Sequence, residues 1–492
     1  MDEKFIALAD LGSSKIALTV AKVTGELTEV LYYKEEKSEG IRHGSIFNPT
    51  KASESLRIAV TNAEKELGIK IKQLVTNMPR GSVRQESTPA QIDRGPEADC
   101  ITEAEVEALK NVTLDNYPLD DIQKEQIYGA VAQSFSTDDM IHASEEDIVG
   151  VCSDRLDGNF RIFIGAKKPV DNIARMANLA GLGIARKIFT PEAVGRAVLN
   201  DSEMENGVGV IEIGAGVTSV SIFEDNILRY YASIPFGGNT ITNDIKMECN
   251  IRGALAENIK LAFGACQPDK LQTMAEKILL ITNEESGTTQ KLPVKYLSEI
   301  ITCRMHEIIQ AALFLVQASG YADKLRGGLV VTGGCASLVN CANMIKDESG
   351  YNVRVGYPRT RYFSLTDCPG FGENGSAASV GMLMMAREDQ YLNCLEAAPA
   401  KVAPKKETAP EAAPAEEEPA ATKPARTSKP AEPDIFTQPE PEKTQDDEEE
   451  DKEKKEDKKE KNTILVTWGR AIKGVLGDAW NHSVGGYYDE MQ

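Results

Sequence analysis

The sequence predicts an α/β body of two similar lobes, interrupted by an inserted α+β module and followed by a long polar tail. Three observations lead there. The stretch Gly207-Val-Gly-Val-Ile-Glu-Ile-Gly-Ala-Gly-Val-Thr-Ser-Val-Ser-Ile-Phe223 reads as two buried strands, Val208–Ile213 and Val217–Phe223, folded over a tight Gly214-Ala215-Gly216 turn. The N-terminal run Phe5–Val23 has the same grammar of apolar strand, acid, apolar residue, glycine with small residues, and second strand, so that Asp10-Leu-Gly12 matches Glu212-Ile-Gly214. Around both hairpins, short apolar runs alternate with segments of helical period, the pattern of an α/β fold. A hairpin repeated roughly 200 residues apart points to an internal duplication, with each lobe offering one loop to a cleft between them.

The loops themselves carry chemistry. Glycines leave no Cβ between backbone and ligand, and a turn of exposed N–H groups is an anion nest. A carboxylate at its lip, Glu212 here and Asp10 in the first copy, suits a hydrated Mg²⁺. A glycine-tipped hairpin in an ordinary sheet would look the same, so it is the repetition that favours phosphate binding.

Composition narrows the classes. The 492 residues leave room for several domains, and the formal net charge of -21 argues against general nucleic-acid binding. Nine cysteines are scattered without C-x-x-C pairing beside four histidines, the pattern of reduced, many of them buried, thiols rather than of a metal site. Met1-Asp-Glu-Lys runs directly into an apolar strand, with no signal peptide expected, and no stretch reaches the roughly 18 apolar residues of a membrane span.

In order, residues 1–84 form the first part of lobe 1. Its hairpin is followed by a strand at Glu29–Lys37, a helix at Pro49–Leu67 with Gly68 as its C-cap, and a strand at Lys72–Met78. Residues 85–168 differ in texture: Arg84–Ile92 extended, a capped helix at Thr102–Leu109, and strands at Glu125–Ser134 and Phe160–Ala166, a small inserted α+β module. Residues 169–199 return to lobe 1 with a helix at Val170–Ala180, a strand at Ala185–Phe189 and a helix at Pro191–Leu199. Lobe 2 is expected over 200–240 with the second loop, 241–325 as its outer part, and 326–388. Its helices carry Ile241 and Ile245, then Leu255–Phe263 with Glu257 and Lys260 one turn apart, then the long Leu297–Ser319. Gly327–Ser337 reads as a buried strand ending in Gly333-Gly334 and opening a helix, where a glycine pair admits a flat ring against the backbone. Asn374–Ala386 is the last globular helix.

These residues, in this order, resemble the superfamily of actin, Hsp70 chaperones and sugar kinases and, within it, the bacterial cell-division FtsA family. The resemblance covers about residues 5–388 and implies a two-lobed actin-like ATPase fold with an SHS2-type module at 85–168. It implies that Gly12, Ser13, Ser14 and Lys15 form a first phosphate loop and Gly214, Ala215 and Gly216 a second. It gives Glu257 and Lys260 to the ribose and base, Gly333 and Gly334 to the adenosine, and Asp10 and Glu212 to Mg²⁺ through water. Gly40-Ile-Arg-His-Gly44 and Leu297–Glu307 also look like segments of that family, and Arg304 with Glu307 is similar to its partner-binding helix. An ordinary surface ion pair across one helical turn would read the same way.

The sequence departs from the superfamily where catalysis is concerned. Active ATPases carry Asp-x-Gly-Gly-Gly-Thr-x-Asp at the second loop; here Glu212, Ala215, Val217 and Ser219 replace the Asp, the middle Gly, the Thr and the last Asp. Where chaperone-like members place a water-orienting Glu before a proline, this chain has Thr190 before Pro191. Backbone amides can still hold nucleotide, but losing these groups is expected to cost orders of magnitude in hydrolysis.

Residues 389–461 are rich in Ala, Pro, Glu and Lys with few large apolar side chains, a composition that stays disordered. The texture then flips over 462–481. Ile464 or Leu465, Trp468, Ile472, and Val475 or Leu476 share one helical face, with Arg470 and Lys473 off it. A short amphipathic helix at the end of a tether needs a membrane interface or a partner groove, and Trp with Lys and Arg favours an anionic membrane surface.

The expectation is therefore an ATP- and Mg²⁺-binding, weakly or non-hydrolysing adaptor. The resemblance implies that it polymerises with itself and binds the C-terminal peptide of the tubulin-like division protein FtsZ, along with other divisome proteins, but no nucleic acid. It also implies a place on the cytoplasmic side of the inner membrane at the division septum. A PilM-like pilus-assembly ATPase or a small-molecule kinase of the same superfamily is the alternative.

Overall fold

A computed structural model describes residues 3–95, 99–282 and 289–395. Its frame is two sheets built to one plan. In the first, the antiparallel meander Glu3–Leu11, Lys15–Thr24 and Leu27–Lys37 is extended from Glu3–Leu11 by the parallel strands Gln73–Asn77 and Gly183–Ile188. In the second, the meander Val208–Ile213, Thr218–Glu224 and Ile227–Ile234 is extended from Val208–Ile213 by the parallel strands Leu329–Thr332 and Val353–Val355. The duplication reaches into register: Asp10 pairs with Ala17, and Glu212 pairs with Ser219 at the same step of its hairpin. Both leading strands are apolar runs buried on both faces, which is why they read as continuous rather than alternating hydrophobic stretches.

Helices cover the faces. Pro49–Leu67 starts at Asn48, whose side chain accepts from the Lys51 N–H, and ends at Gly68 in the left-handed region. It packs with Lys167–Ala180 on the first sheet. Between the sheets run Thr190–Val198 and Ala377–Glu388, the latter against Glu3–Leu11 and the former against Thr218–Glu224 and Ile227–Ile234. Their backbones come so close that a Cβ on Gly381 would sit 1.8 Å from the Ala193 carbonyl oxygen. In the second lobe, Val294–Ala318 buries Leu297, Ile301, Met305, Ile308 and Ala312, a spacing of three and four, into a separate core.

The inserted module is a three-stranded antiparallel sheet, Arg84–Asp93, Arg155–Ala166 and Glu125–Ser136, with Arg155–Ala166 in the middle. The helix Glu103–Asn116 covers it through Val106 and Leu109, which join Phe135 and Phe160 in a core of their own. Thr102 and Glu105 make a reciprocal capping box at its start.

Two expected boundaries shift. Residues 326–388 do not all belong to lobe 2: Ser364–Leu365 adds to the edge of the first sheet beside Glu29 and Val30, Phe371 packs edge-on to Tyr33, and Ala377–Glu388 lies in the first core. The linker does not begin at 389 either. Cys394 is buried, its N–H donates to the Phe5 carbonyl, and its own carbonyl accepts from Lys72. A chain that returns to its first strand gains apolar burial, which the polar composition of 389–391 conceals.

Candidate functional site

The two hairpin turns meet tip to tip. In each, the first glycine N–H donates to the carbonyl three residues on, Gly12 to Lys15 at 3.0 Å and Gly214 to Val217 at 2.9 Å. The N–H groups of Ser13, Ser14, Ala215 and Gly216 make no hydrogen bond among the described residues. A Cβ on Gly216 would lie 2.7 Å from Ser13 Oγ, so the close approach of the loops requires glycine there. The segment Gly40–Gly44 stitches them together: Gly44 N–H donates to Ser13 Oγ at 2.9 Å, and His43 Nδ1 lies 3.1 Å from the Gly216 carbonyl oxygen. A further turn, Gly237-Gly238, braces the second loop, with Gly238 N–H donating to Gly214 O at 2.9 Å and Asn239 N–H to Ala215 O at 2.7 Å.

Beside the loop tips opens a cleft of about 610 Å³ lined by Ser13, Ser14, Asn239, Thr242, Glu257 and Asn258, among others. That volume lies within the roughly 300–1,000 Å³ of small-molecule sites. Glu257 borders it. Lys260 is buried and spoken for: its Nζ donates to Gly238 O at 3.0 Å, Thr242 Oγ1 at 2.8 Å and Glu257 at 2.8 Å. It holds the Gly237-Gly238 turn and Glu257 in place rather than reaching into the cleft. Lys15 is also paired, with Glu35, while its Nζ lies 3.3 Å from where a Cβ on Gly375 would be. Gly375 adjoins Gly334. The helix expected after the glycine pair is a short 3-10 turn, Gly334–Ser337. Gly333 has φ 87°, and a Cβ on it would be 2.6 Å from Ile213 O, whereas a Cβ on Gly334 would meet open space.

Arg80 is the residue that sequence reading missed. Its Nη2 donates to Asp10 and its Nη1 to Glu212, both at 2.9 Å, with all three side chains largely buried. Gly44 fixes the arginine backbone by accepting from the Arg80 N–H at 3.0 Å. Burial alone would lower its pKa, but the two carboxylates hold the guanidinium above its ordinary value. Ser219 Oγ adds a weaker contact to Glu212 at 3.4 Å. Asp10 and Glu212, the acids expected to face hydrated Mg²⁺, are thus each paired with Arg80. Arg80 takes one oxygen of each acid, Asp10 Oδ1 and Glu212 Oε1. Among the described residues no group of three or more His, Cys, Asp or Glu is arranged to hold a metal ion.

The family model "Cell division protein FtsA" matches residues 209–373, which contain the second loop, Glu257, Lys260 and the Gly333-Gly334 pair. Over its greater length the chain is 28% identical to the cell division protein FtsA of Borreliella burgdorferi, covering 83% of this chain and 97% of that one. It is 28% identical to that of Neisseria meningitidis serogroup B, over 73% and 84%, and 26% identical to that of Bacillus subtilis, over 74% and 81%. Along most of its length the chain is thus similar to the FtsA cell division proteins. A solved PilM-PilN type IV pilus biogenesis complex is similar in fold, with TM-score 0.52 and 13% identity over 77% of this chain and 98% of the compared one. The body thus has the two-lobed actin-like fold.

Arg304 lies on Val294–Ala318 and contacts Glu307, but its principal partner is Asp244 of the helix Gly238–Glu248, which accepts from Nε at 2.6 Å and from Nη2 at 3.1 Å. The pair across one turn is therefore part of a clamp between two helices of the outer second lobe. Ile464, Leu465, Trp468, Arg470, Ile472, Lys473, Val475 and Leu476 lie outside the described residues. Among those described, no helix is long and apolar enough to cross a membrane. Signals for the missed residues were slight: Gly40 and Gly44 bracket a short segment, and Arg80 follows a proline in a loop, a position that betrays nothing of a partner in the other lobe.

Proposed function

We propose that this FtsA-like chain binds ATP between its two glycine loops and uses the bound state to assemble with itself as a membrane adaptor. In that role it tethers the FtsZ ring to the inner face of the cytoplasmic membrane during division. One observation carries the nucleotide reading: the N–H groups of Ser13, Ser14, Ala215 and Gly216 make no hydrogen bond among the described residues, at facing loop tips beside a cleft of about 610 Å³. Unspent amides in that arrangement match the oxygens of a polyphosphate. Glu257 would take the ribose, held by Lys260 and Thr242, and the open side of Gly334 would take the adenine ring. The phosphate charge would fall near Lys15, with Arg80 neutralising the two acids behind it.

Turnover is slow in this account. Thr190 stands where active relatives carry a water-orienting acid, and its hydroxyl is buried without a partner among the described residues. A hydroxyl cannot act as the general base that a carboxylate would supply. The membrane and FtsZ parts rest on the amphipathic pattern of 464–476 and on the likeness to FtsA proteins. Co-sedimentation of the full chain with anionic liposomes and FtsZ, with and without residues 463–492, tests them. FtsZ is expected in the pellet only with the complete chain; equal recovery by the truncated one would overturn the adaptor reading.

A further inference from the structure

We infer that Cys100 and Cys152, at the mouth of the inserted module, form a reversible disulfide that staples the module shut. The two residues face one another in an isolated antiparallel bridge, and both are exposed. The hydrogen bonding around them sets the kind of pair they are. Ile101 N–H donates to Val151 O at 2.8 Å, the bond expected beside a non-hydrogen-bonded pair. At such positions the Cα atoms stand about 4.5 Å apart, within the roughly 4.4–6.8 Å that a disulfide spans.

Arg94 fixes the other side. Its Nη2 donates to Asp99 O and its Nη1 to Ser153 O, both at 2.6 Å, so one guanidinium ties together the residues that flank the cysteines. That guanidinium is buried and held in turn by Glu105 at 2.8 Å. The pair is thus braced on both sides, at a backbone spacing that a disulfide spans. Of the nine cysteines, six are buried; Cys303, the remaining exposed one, lies on a helix of the second lobe.

The step is thiol–disulfide exchange with a low-molecular-weight disulfide. One thiolate of the pair attacks the oxidant, forming a mixed disulfide and releasing one small thiol. The other thiolate displaces the second small thiol and forms the Cys100–Cys152 bond. Two protons and two electrons leave the protein, and the oxidant is reduced to two thiols. The resulting loop encloses the helix Glu103–Asn116 and the strand Glu125–Ser136, together with most of the module's core. Closing it restricts the unfolded module and slows its opening.

The test uses the full chain exposed to oxidised glutathione, trapped with N-ethylmaleimide, digested without reduction and mapped by mass spectrometry. A peptide pair joined through Cys100 and Cys152 is expected, released by dithiothreitol. In Cys100→Ser or Cys152→Ser the surviving thiol should instead carry glutathione. Oxidation should also slow amide exchange of the module core by about tenfold or more, with no change in the double serine variant. Recovery of both wild-type cysteines as maleimide adducts, or each separately capped by glutathione, would overturn the proposal.

Discussion

Asp10 and Glu212, the matching acids of the two glycine hairpins, are joined through one guanidinium, with Arg80 donating to each at 2.9 Å. The cation comes from the loop after the strand Gln73–Asn77, so a side chain of lobe 1 neutralises an acid of lobe 2. Both lobes are tied at the point where their glycine loops touch.

Removing that cation leaves two largely buried carboxylates facing each other. Arg80→Met should lower stability to urea by about 3–5 kcal/mol, the cost of breaking a buried pair from one side. Adding Asp10→Asn and Glu212→Gln to that variant should restore most of the loss, because neutral amides need no cation. A loss below about 1 kcal/mol would show that the pair is solvated and of little consequence.

Gly333 and Gly334 should behave oppositely. Gly333→Ala puts a Cβ 2.6 Å from Ile213 O at φ 87°, and should destabilise the second lobe by about 1–3 kcal/mol. Gly334→Asp meets open space and should melt within a few degrees of the parent, yet lose ATP binding through its charge and bulk at the adenosine position. Thermal unfolding and a fluorescent-nucleotide titration of both variants decide the matter. Normal ATP binding by Gly334→Asp would place the adenosine elsewhere.

For the FtsZ contact, Arg304 must be separated from its clamp. Asp244→Asn breaks the same ion pair as Arg304→Met while keeping the arginine, and each should cost about 1–3 kcal/mol of stability. Only Arg304→Met should weaken binding of the FtsZ C-terminal peptide, measured by fluorescence anisotropy. Equal affinities in both variants would make Arg304 a purely internal residue.

Acid should loosen the inserted module first. The Arg94 hydrogen bond, and behind it the Thr102 N–H, hold Glu105 down at about 2. A folded pKa below the usual carboxylate range of about 4.3 means that this stabilisation is complete above that range. It is lost as pH falls through it toward about 2. Amide exchange in Glu103–Asn116 should therefore quicken below about pH 4.3, and Glu105→Gln should flatten that response. The same dependence in the variant would contradict it.

What the sequence made legible was whatever repeats or alternates locally. The acid, glycine and apolar order of each hairpin announced the duplicated sheets, and the cap at Thr102 announced the helix of the module. Contacts set by topology were hidden. Arg80 meets Glu212 only because two crossovers bring the lobes face to face, and no spacing encodes that. Lys260 looked like a ligand-facing cation on an amphipathic helix; a carbonyl at Gly238, supplied by a distant turn, claims it. The return of Ser364–Leu365 and Cys394 to the first sheet was obscured because each makes only a short edge contact.

Two facing glycine loops are proposed to hold a nucleotide without turning it over. Isothermal titration of the full chain with ATP, followed by a phosphate-release assay on the same sample, tests it most directly. The account predicts saturable binding of one ATP per chain, retained when EDTA removes divalent ions because Arg80 already neutralises Asp10 and Glu212, with release too slow for multiple turnovers during the titration. No saturable binding at millimolar ATP, or brisk hydrolysis by the bound protein, would contradict it.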